Sequence, residues 1–314
     1  MTARFEDLPA QFTVRAPAKI NLHLGVGAPR EDGYHPLLTV YQAVGLHDDV
    51  TVRPAPDWSV EVAVPDWMDA GQLPRLEDNI VTRAADLLAA HHGVPRAGAV
   101  DVVKAIPVAG GMAGGSADAA AALVALDRLW GTGTTDEDLL RIAAELGSDV
   151  PFALIGGSAL GTGRGELVQR VEDAGTWWWV AVPSDRGLST PQVYRHFDEL
   201  SPHAPAQPPP ADDLIAALAS GVPEALAAAL HNDLQEPAIA LRPELGDLLD
   251  RGEAAGALRG LISGSGPTCV FLCSSPDHAR EVAATLADPD GGGDHPTVLV
   301  ANGAVSGAHL VEYA

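Results

Sequence analysis

From residue 110 the chain reads Gly110-Gly111-Met112-Ala113-Gly114-Gly115-Ser116 and passes straight into ADAAAALVALDRLW, where Leu123, Leu126 and Trp130 recur at helical spacing. Small residues closing onto a helix leave the N–H groups of its first turn uncovered. The helix dipole places about half a positive charge at the same spot. An anion can therefore approach the backbone without meeting a side chain. A glycine loop could also simply turn the chain, but four glycines and one alanine in six residues are more than a turn needs. Ser116 stands where an N-cap is expected, its hydroxyl free to turn towards a phosphate or a metal. Asp118, in the expected first turn, suits the dipole. The pattern is not GxxxxGK[ST], because no lysine follows, and it is not GxGxxG after the first strand of a βαβ unit. A polyphosphate held here would need positive charge from Mg²⁺ or from a lysine elsewhere.

That need sharpens against the composition. The 314 residues carry 42 acidic and 19 basic side chains, a net charge of −23. Such a chain repels a phosphate backbone and an anionic membrane, so neither nucleic acid nor lipid is an expected partner, and a small molecule is. Of the basic residues only Lys19 and Lys104 are lysines. A compact ammonium with a tunable pKa does what an arginine fork cannot, so both positions draw notice. Cys269 and Cys273 sit four apart in an apolar run. This is neither a CxxC pair nor a zinc knuckle, and on a strand both thiols face the same buried side. The first 14 residues contain no apolar signal core and no run approaches the ~18 apolar residues of a spanning helix, so a soluble cytoplasmic protein is expected. The oligomeric state is not legible.

The length suggests two domains. Residues 13–26 alternate around Ile20, Leu22, Leu24 and Val26 as a strand, followed by the polar turn PREDGYH. Further β-like runs are 50–52, 60–64 and 100–103, with helical spacing over 79–90 between them. A second helix is expected at 136–146, stopping at Gly147. Strand-like runs at 153–160 and 177–183 come next, then SPHAPAQPPPA, an exposed loop at 201–211. Beyond it, 212–234 is helical, 263–273 is a glycine turn feeding a strand, 277–287 is an amphipathic helix and 296–301 a strand, with a flexible link at 291–293. The mixture, not in strict alternation, predicts an α+β fold with domains 1–185 and 186–314.

Four further clusters could carry chemistry. On a strand Lys19 and Asn21 share a face, which could orient a ligand or could simply be solvated. Asp149, in GSDVPF, could accept a hydroxyl proton beside a lysine, or could only belong to a helix-ending turn. Asp32-Gly33-Tyr34-His35 offers an aromatic face and an imidazole suited to reading a flat base. Ser263-Gly264-Ser265-Gly266 is either a second anion nest or a tight turn.

Taken in order, these pieces resemble the GHMP kinases. The stretches APAKINLHLGVGAPREDGYHPLLTVYQ, IPVAGGMAGGSADAAAALVALDRLW, LGSDVPFALIGGSALGTGRGE and SGSGPTCVF carry the likeness from about residue 13 to residue 273. AKIN together with DGYH points to the branch acting on a cytidine diphosphate-linked alcohol of the non-mevalonate isoprenoid route. The resemblance implies the two-domain GHMP kinase form of α+β fold, an S5-like N-terminal domain followed by a ferredoxin-like C-terminal one. It implies transfer of the ATP γ-phosphate, with Mg²⁺, to a tertiary 2-hydroxyl. Lys19 and Asp149 match the family's active-site lysine and aspartate. The ATP-phosphate loop matches Pro107, Val108, Ala109, Gly110, Gly111, Met112, Ala113, Gly114, Gly115, Ser116 and Ala117, with Ser116 also near the metal. Lys104 takes the basic position ahead of that loop, and Asn79 begins a helix near the adenosine. Tyr34 and His35 match residues that stack on and hydrogen-bond the cytosine, with Tyr194 as the second stacking position; Asn21 and Thr190 line the same site. The usual loop, GLGGGSSD, here has Met112, Ala113 and Ala117 in place of Leu, Gly and Ser. Ala113 is tolerable only if its φ is negative.

Overall fold

The computed structural model describes residues 11–73, 78–108, 110–184, 186–288 and 296–311. Ala109, the link at 291–293 and the first ten residues lie outside that set. The first half runs β1 (Phe12–Val26), β2 (Leu37–Arg53), β3 (Trp58–Ala63), α1 (Ile80–His92), β4 (Gly98–Val103), α2 (Gly114–Trp130), α3 (Asp136–Leu146), α4 (Val150–Ile155), β5 (Ser158–Thr162), β6 (Leu167–Arg170) and β7 (Trp177–Val182). The second half adds α5 (Thr190–Leu200), α6 (Asp212–Ser220), α7 (Pro223–Ala229), β8 (His231–Asn232), α8 (Gln235–Leu241), α9 (Glu244–Ala254), β9 (Arg259–Ile262), β10 (Cys269–Cys273), α10 (Pro276–Ala287), β11 (Leu299–Gly303) and β12 (His309–Leu310).

All the strands join one sheet with the main order β12-β1-β2-β11-β7-β10-β9. The long antiparallel β1–β2 pair runs from Phe12↔Val52 to Val26↔Leu37, with irregularities after Pro17 and after Asn21. Helix α2 covers it. Ala117, Ala119 to Ala122, Leu123, Ala125 and Leu126 are fully buried against this sheet and its neighbours, and the run of methyl side chains lets the helix lie close. The polar face of β1 is buried as well: Lys19, Asn21 and His23 are 7, 3 and 4% exposed. It does not face water. At Lys19 it faces Asp149, which begins α4, and at His23 it faces the second half of the chain.

Several expectations need correction. Of the strand expected at 153–160, residues 153–155 belong instead to α4, because Pro151 sits at its first positions and Gly156, at φ 64°, ends it; the strand β5 starts at Ser158. The 212–234 stretch breaks at Gly221 and Pro223 into α6 and α7, then joins the sheet as β8. The 201–211 segment is an exposed loop, as expected; it is tied to the chain beyond β1 where the Ala28 N–H donates to the Pro205 carbonyl at 2.8 Å, and its last residue, Ala211, is buried. Cys269 and Cys273 are free and buried, and burial pushes their thiols up to about 12 and about 11. For the division of the chain we propose halves at 1–185 and 186–314 that share one sheet. β7 lies before that line yet pairs on both edges with β10 and β11 from beyond it.

The seam between the halves holds a titratable cluster. His23 Nε2 lies 3.3 Å from the Pro209 carbonyl, and its ring centroid is 5.1 Å from that of His231. His231 Nε2 lies 2.8 Å from Asp233 Oδ1, and the other Asp233 oxygen accepts the Val26 N–H. Burial first, and the charge of His231 second, lower the His23 pKa from 6.5 to about 4. The unfolded chain therefore takes up a proton below pH 6.5 that the folded chain refuses, so this stability is present above pH 6.5 and is lost as pH falls towards 4. Going from pH 7 to pH 5 should cost about 2 kcal/mol through this residue. In His23→Gln, which keeps a donor for the Pro209 carbonyl, the unfolding free energies from urea titrations at the two pH values should lie closer together by that amount. Equal pH slopes in parent and variant would show that His23 is not the sensor.

Candidate active site

The glycine loop is built from both ends. Met112 is fully buried, and its carbonyl accepts the Lys19 N–H at 3.1 Å, tying the loop to β1. A Cβ on Gly110 would fall 2.7 Å from Thr268 Oγ1, and one on Gly111 would fall 2.5 Å from the Ser263 carbonyl. Gly111 lets the loop press on the Ser263–Gly266 turn and Gly110 lets it press on Thr268 just beyond, so residues 263–268 support the loop. Around Gly115 the nearest heavy atom to such a Cβ is Ile80 Cγ2 at 4.0 Å. The open part of the cradle is thus the first turn of α2.

Three details of that turn differ from expectation. The N-cap is Ala113 rather than Ser116, and Ala113 adopts φ 58°, ψ 35°, a left-handed conformation. A negative φ is not what the structure uses. The buried Met112 and the Met112–Lys19 bond hold the turn where a glycine would sit more easily. Ser116 is consequently the third residue of α2, half-buried on the cleft. Asp118 is one turn further in, buried, and not at the helix start.

Asp118 instead meets Lys104, which ends just beneath the loop. Lys104 Nζ donates to Asp118 Oδ2 at 2.7 Å and to Asp48 Oδ2. The other Asp48 oxygen accepts the Ala105 and Ile106 N–H groups at 2.6 and 2.9 Å. Burial alone would pull the Lys104 pKa down, but the carboxylates of Asp118 and Asp48 raise it. Burial pushes Asp118 well above the carboxylate range despite the opposing pull of Lys104. Asp48 had no sequence signal: it sits in HDD at the middle of a long strand, and only the fold shows what it faces.

Lys19 and Asn21 do share a face. Lys19 Nζ donates to Asn21 Oδ1 at 2.7 Å, Asn21 Nδ2 donates to Thr39 Oγ1 at 2.8 Å, and the Thr39 hydroxyl donates to the His23 carbonyl at 2.7 Å. This relay aims the ammonium. Asp149 Oδ2 lies 3.5 Å from it. Asp149 occupies the N-cap position of α4, but its φ and ψ of −88° and −10° are helical and its side chain makes no capping bond. Its carboxylate is turned to Lys19 instead.

The same cleft, about 1680 Å³, continues to the DGYH turn. Tyr34 is 54% exposed, with the Arg164 guanidinium 5.1 Å from its ring centroid. His35 is buried; its Nδ1 lies 2.8 Å from the Gly27 carbonyl and its Nε2 3.5 Å from Asp198 Oδ1. Its ring is 5.1 Å from that of Tyr194. Burial, helped by the charge of Asp149, raises the Tyr194 pKa. Thr190 Oγ1 is 2.8 Å from Ser265 Oγ, joining α5 to the turn under the loop. Asn79 caps α1 through the Val81 N–H at 2.9 Å. Lys104, Pro107, Val108, Gly110, Gly111, Ala113, Gly114, Gly115 and Ser116 line this cleft together with Lys19, Asn21, Asn79, Asp149, Thr190 and the DGYH residues Tyr34 and His35. The side chains of Met112 and Ala117 do not, being fully buried in the core. Arg164 and Asp198 carry no mark in the sequence, because each lies in a polar stretch with nothing to set it apart.

A strand-loop-helix cradle beside an ammonium and a carboxylate, carried on this shared sheet, defines a class. The family description "GHMP kinases N terminal domain" matches residues 79–157 and "GHMP kinases C terminal" matches 214–289. A solved homoserine kinase from Cytophaga hutchinsonii shares the fold with a TM-score of 0.74 at 19% identity, over 99% of this chain and all of the other. The particular family is given by closer relatives. The 4-diphosphocytidyl-2-C-methyl-D-erythritol kinase of a Nocardioides species is 72% identical over 301 residues, 96% of this chain and all of the relative. That of Thermobifida fusca is 54% identical over 314 residues, 97% and 100% of the two chains. A crystal structure of 4-(cytidine 5'-diphospho)-2C-methyl-D-erythritol kinase superposes with a TM-score of 0.74 at 32% identity, covering 92% of this chain and 98% of its own. The chain belongs to the 4-diphosphocytidyl-2-C-methyl-D-erythritol kinase family of GHMP kinases, and ATP is the substrate that this membership implies. Among the described residues no helix is long and apolar enough to cross a membrane.

Proposed function

We propose that the chain transfers the γ-phosphate of ATP to the tertiary 2-hydroxyl of 4-diphosphocytidyl-2-C-methyl-D-erythritol, in the cytoplasm, as a step of the non-mevalonate isoprenoid route. The observation that carries this reading is one cleft holding the Lys19–Asp149 pair, the open first turn of α2 and the Tyr34, His35 and Tyr194 cluster. A tertiary hydroxyl is crowded and weakly acidic, so in-line placement and a proton acceptor matter more than force of attack. Asp149 accepts the hydroxyl proton. Lys19, aimed by Asn21, carries its positive charge towards the γ-phosphate. The N–H groups of Gly114, Gly115 and Ser116 take the phosphates, offsetting the repulsion of a chain with net charge −23. Lys104 holds the floor of the loop through Asp118 and Asp48, and Asn79 fixes the helix start beside the adenosine.

Mg²⁺ suits these residues. It needs few protein oxygens and keeps its waters and the nucleotide's phosphates, and among the described residues there is no cluster of three or more His, Cys, Asp or Glu side chains that could hold a metal ion. The Ser116 hydroxyl is the group to hold it. When bound, the ion would neutralise charge on the phosphates.

The cytidine end supplies a test. If Tyr34 and Tyr194 clamp the base, each stack contributes about 1–3 kcal/mol. Tyr34→Ala should raise KM for the cytidine diphosphate alcohol by on the order of tenfold or more, with KM for ATP nearly unchanged. Methylerythritol phosphate, lacking the cytidine, should be a very poor substrate of the parent. Equal turnover of that truncated alcohol would remove the base clamp and point to a different alcohol.

A further inference from the structure

One short turn spans the cleft between the DGYH residues and Asp149. On one side of it the Gly163 carbonyl accepts the N–H of Leu37, two residues after His35, at 2.8 Å. On the other side, a Cβ on Gly165 would fall 2.2 Å from the Tyr41 hydroxyl and 3.9 Å from Cβ of Ser148, the residue before Asp149. Gly163 and Gly165 stand at φ 76° and 103°, where a side chain would be strained. The backbone of Arg164 is thus pinned between the base end of the cleft and the Lys19–Asp149 end. Its side chain lines the cleft, with the guanidinium over the Tyr34 ring.

The charge of Arg164 is also uncommitted. Glu166 Oε2 accepts the Arg164 backbone N–H at 2.6 Å, and the other Glu166 oxygen lies 4.0 Å from Nε, the outer limit of an ion pair. Among the described residues no carboxylate meets the two terminal nitrogens of the fork. The lysines of the cleft differ: Lys19 faces Asp149, and Lys104 is held by Asp118 and Asp48. Arg195, which follows Tyr194 on α5, is the other arginine on the cleft, but nothing ties it to the Asp149 side.

We propose that the Arg164 guanidinium takes the diphosphate of the cytidine diphosphate alcohol and makes the site prefer a diphosphate-linked cytidine to the bare nucleoside. This rests on the cytidine reading given above. In that substrate the diphosphate lies between the base and the alcohol, and Arg164 lies between the groups assigned to each. A planar fork meets two phosphate oxygens at once, which a point charge cannot do. The open turn of α2 offsets one polyphosphate in a chain with net charge −23; Arg164 offsets the second.

The test is equilibrium binding, which needs no turnover. Isothermal titrations of CDP and of cytidine are compared for the parent, Arg164→Met, Arg164→Lys and Arg195→Met, with the ATP site filled by a non-hydrolysable ATP analogue and Mg²⁺. The parent should bind CDP at least tenfold more tightly than cytidine. Arg164→Met keeps the stem and loses the charge, so CDP should weaken roughly tenfold or more while cytidine stays within about threefold. Arg164→Lys should recover only part of the CDP binding. Equal weakening of both ligands in Arg164→Met would overturn the proposal and mark Arg164 as a brace for Tyr34. Unchanged CDP binding in that variant would overturn it too, with the diphosphate assigned to Arg195 if Arg195→Met shows the loss instead. A parent that binds neither ligand would remove the cytidine reading itself, and the proposal with it.

Discussion

Asp149→Asn should fold like the parent and turn over at roughly one hundredth of its rate or less. The amide is nearly isosteric, and the position makes no helix-capping bond whose loss would disturb α4. What changes is chemical: an amide oxygen beside Lys19, at the present 3.5 Å, cannot accept the hydroxyl proton. The loss should fall on kcat, with the melting temperature and KM for ATP close to the parent's. Turnover within threefold of the parent would assign the proton to Lys19 or to solvent.

Lys19→Arg should lose activity by a similar factor, on the order of 10², although the charge is kept. Lys19 is 7% exposed, its ammonium bonded to Asn21 at 2.7 Å, with Asp149 3.5 Å away and Gly264 close enough that a Cβ there would lie 3.5 Å from Nζ. A guanidinium is larger than that space. It would push Asn21 or Asp149 out of line, and overpacking of this kind typically costs about 1–3 kcal/mol of stability as well. A Lys19→Arg protein with kcat/KM near the parent's would show that only the charge matters at this position.

How far the sequence could be read depended on how local each feature is. The Lys19–Asn21 pairing follows from the two-residue period of a strand, and the glycine loop from its own composition, so both were legible. Asp149 was not decidable alone, because a turn and a base use the same residue, and the ammonium it meets is on a strand far away in the chain. Asp48, Arg164 and Asp198 meet their partners through long-range contacts and carry no local mark. Gly110 and Gly111 line the cleft, and their bareness also serves a contact that the sequence does not mark, with Thr268 and with the Ser263–Gly266 turn. Ala113 was expected at negative φ on intrinsic preference. Tertiary restraint from Met112 overrides that preference, and the cap moves three residues upstream of Ser116. Among the elements, α2 and α3 were clear from periodicity and their stop glycines. The true extent of β2 was hidden because its residues 37–49 do not alternate, having both faces largely covered.

The proposed reaction is a regiospecific phosphoryl transfer to a cytidine diphosphate-linked alcohol. Its most direct test is a ³¹P NMR time course of the protein with ATP, Mg²⁺ and 4-diphosphocytidyl-2-C-methyl-D-erythritol, run beside homoserine and mevalonate as competing acceptors. A new phosphomonoester signal should grow with the cytidine alcohol alone, matched by ADP, while the diphosphate signals of the substrate stay intact and Asp149→Asn leaves the spectrum nearly unchanged. An ester formed as fast on homoserine or mevalonate, or ATP consumed with release of inorganic phosphate and no ester, would contradict the account.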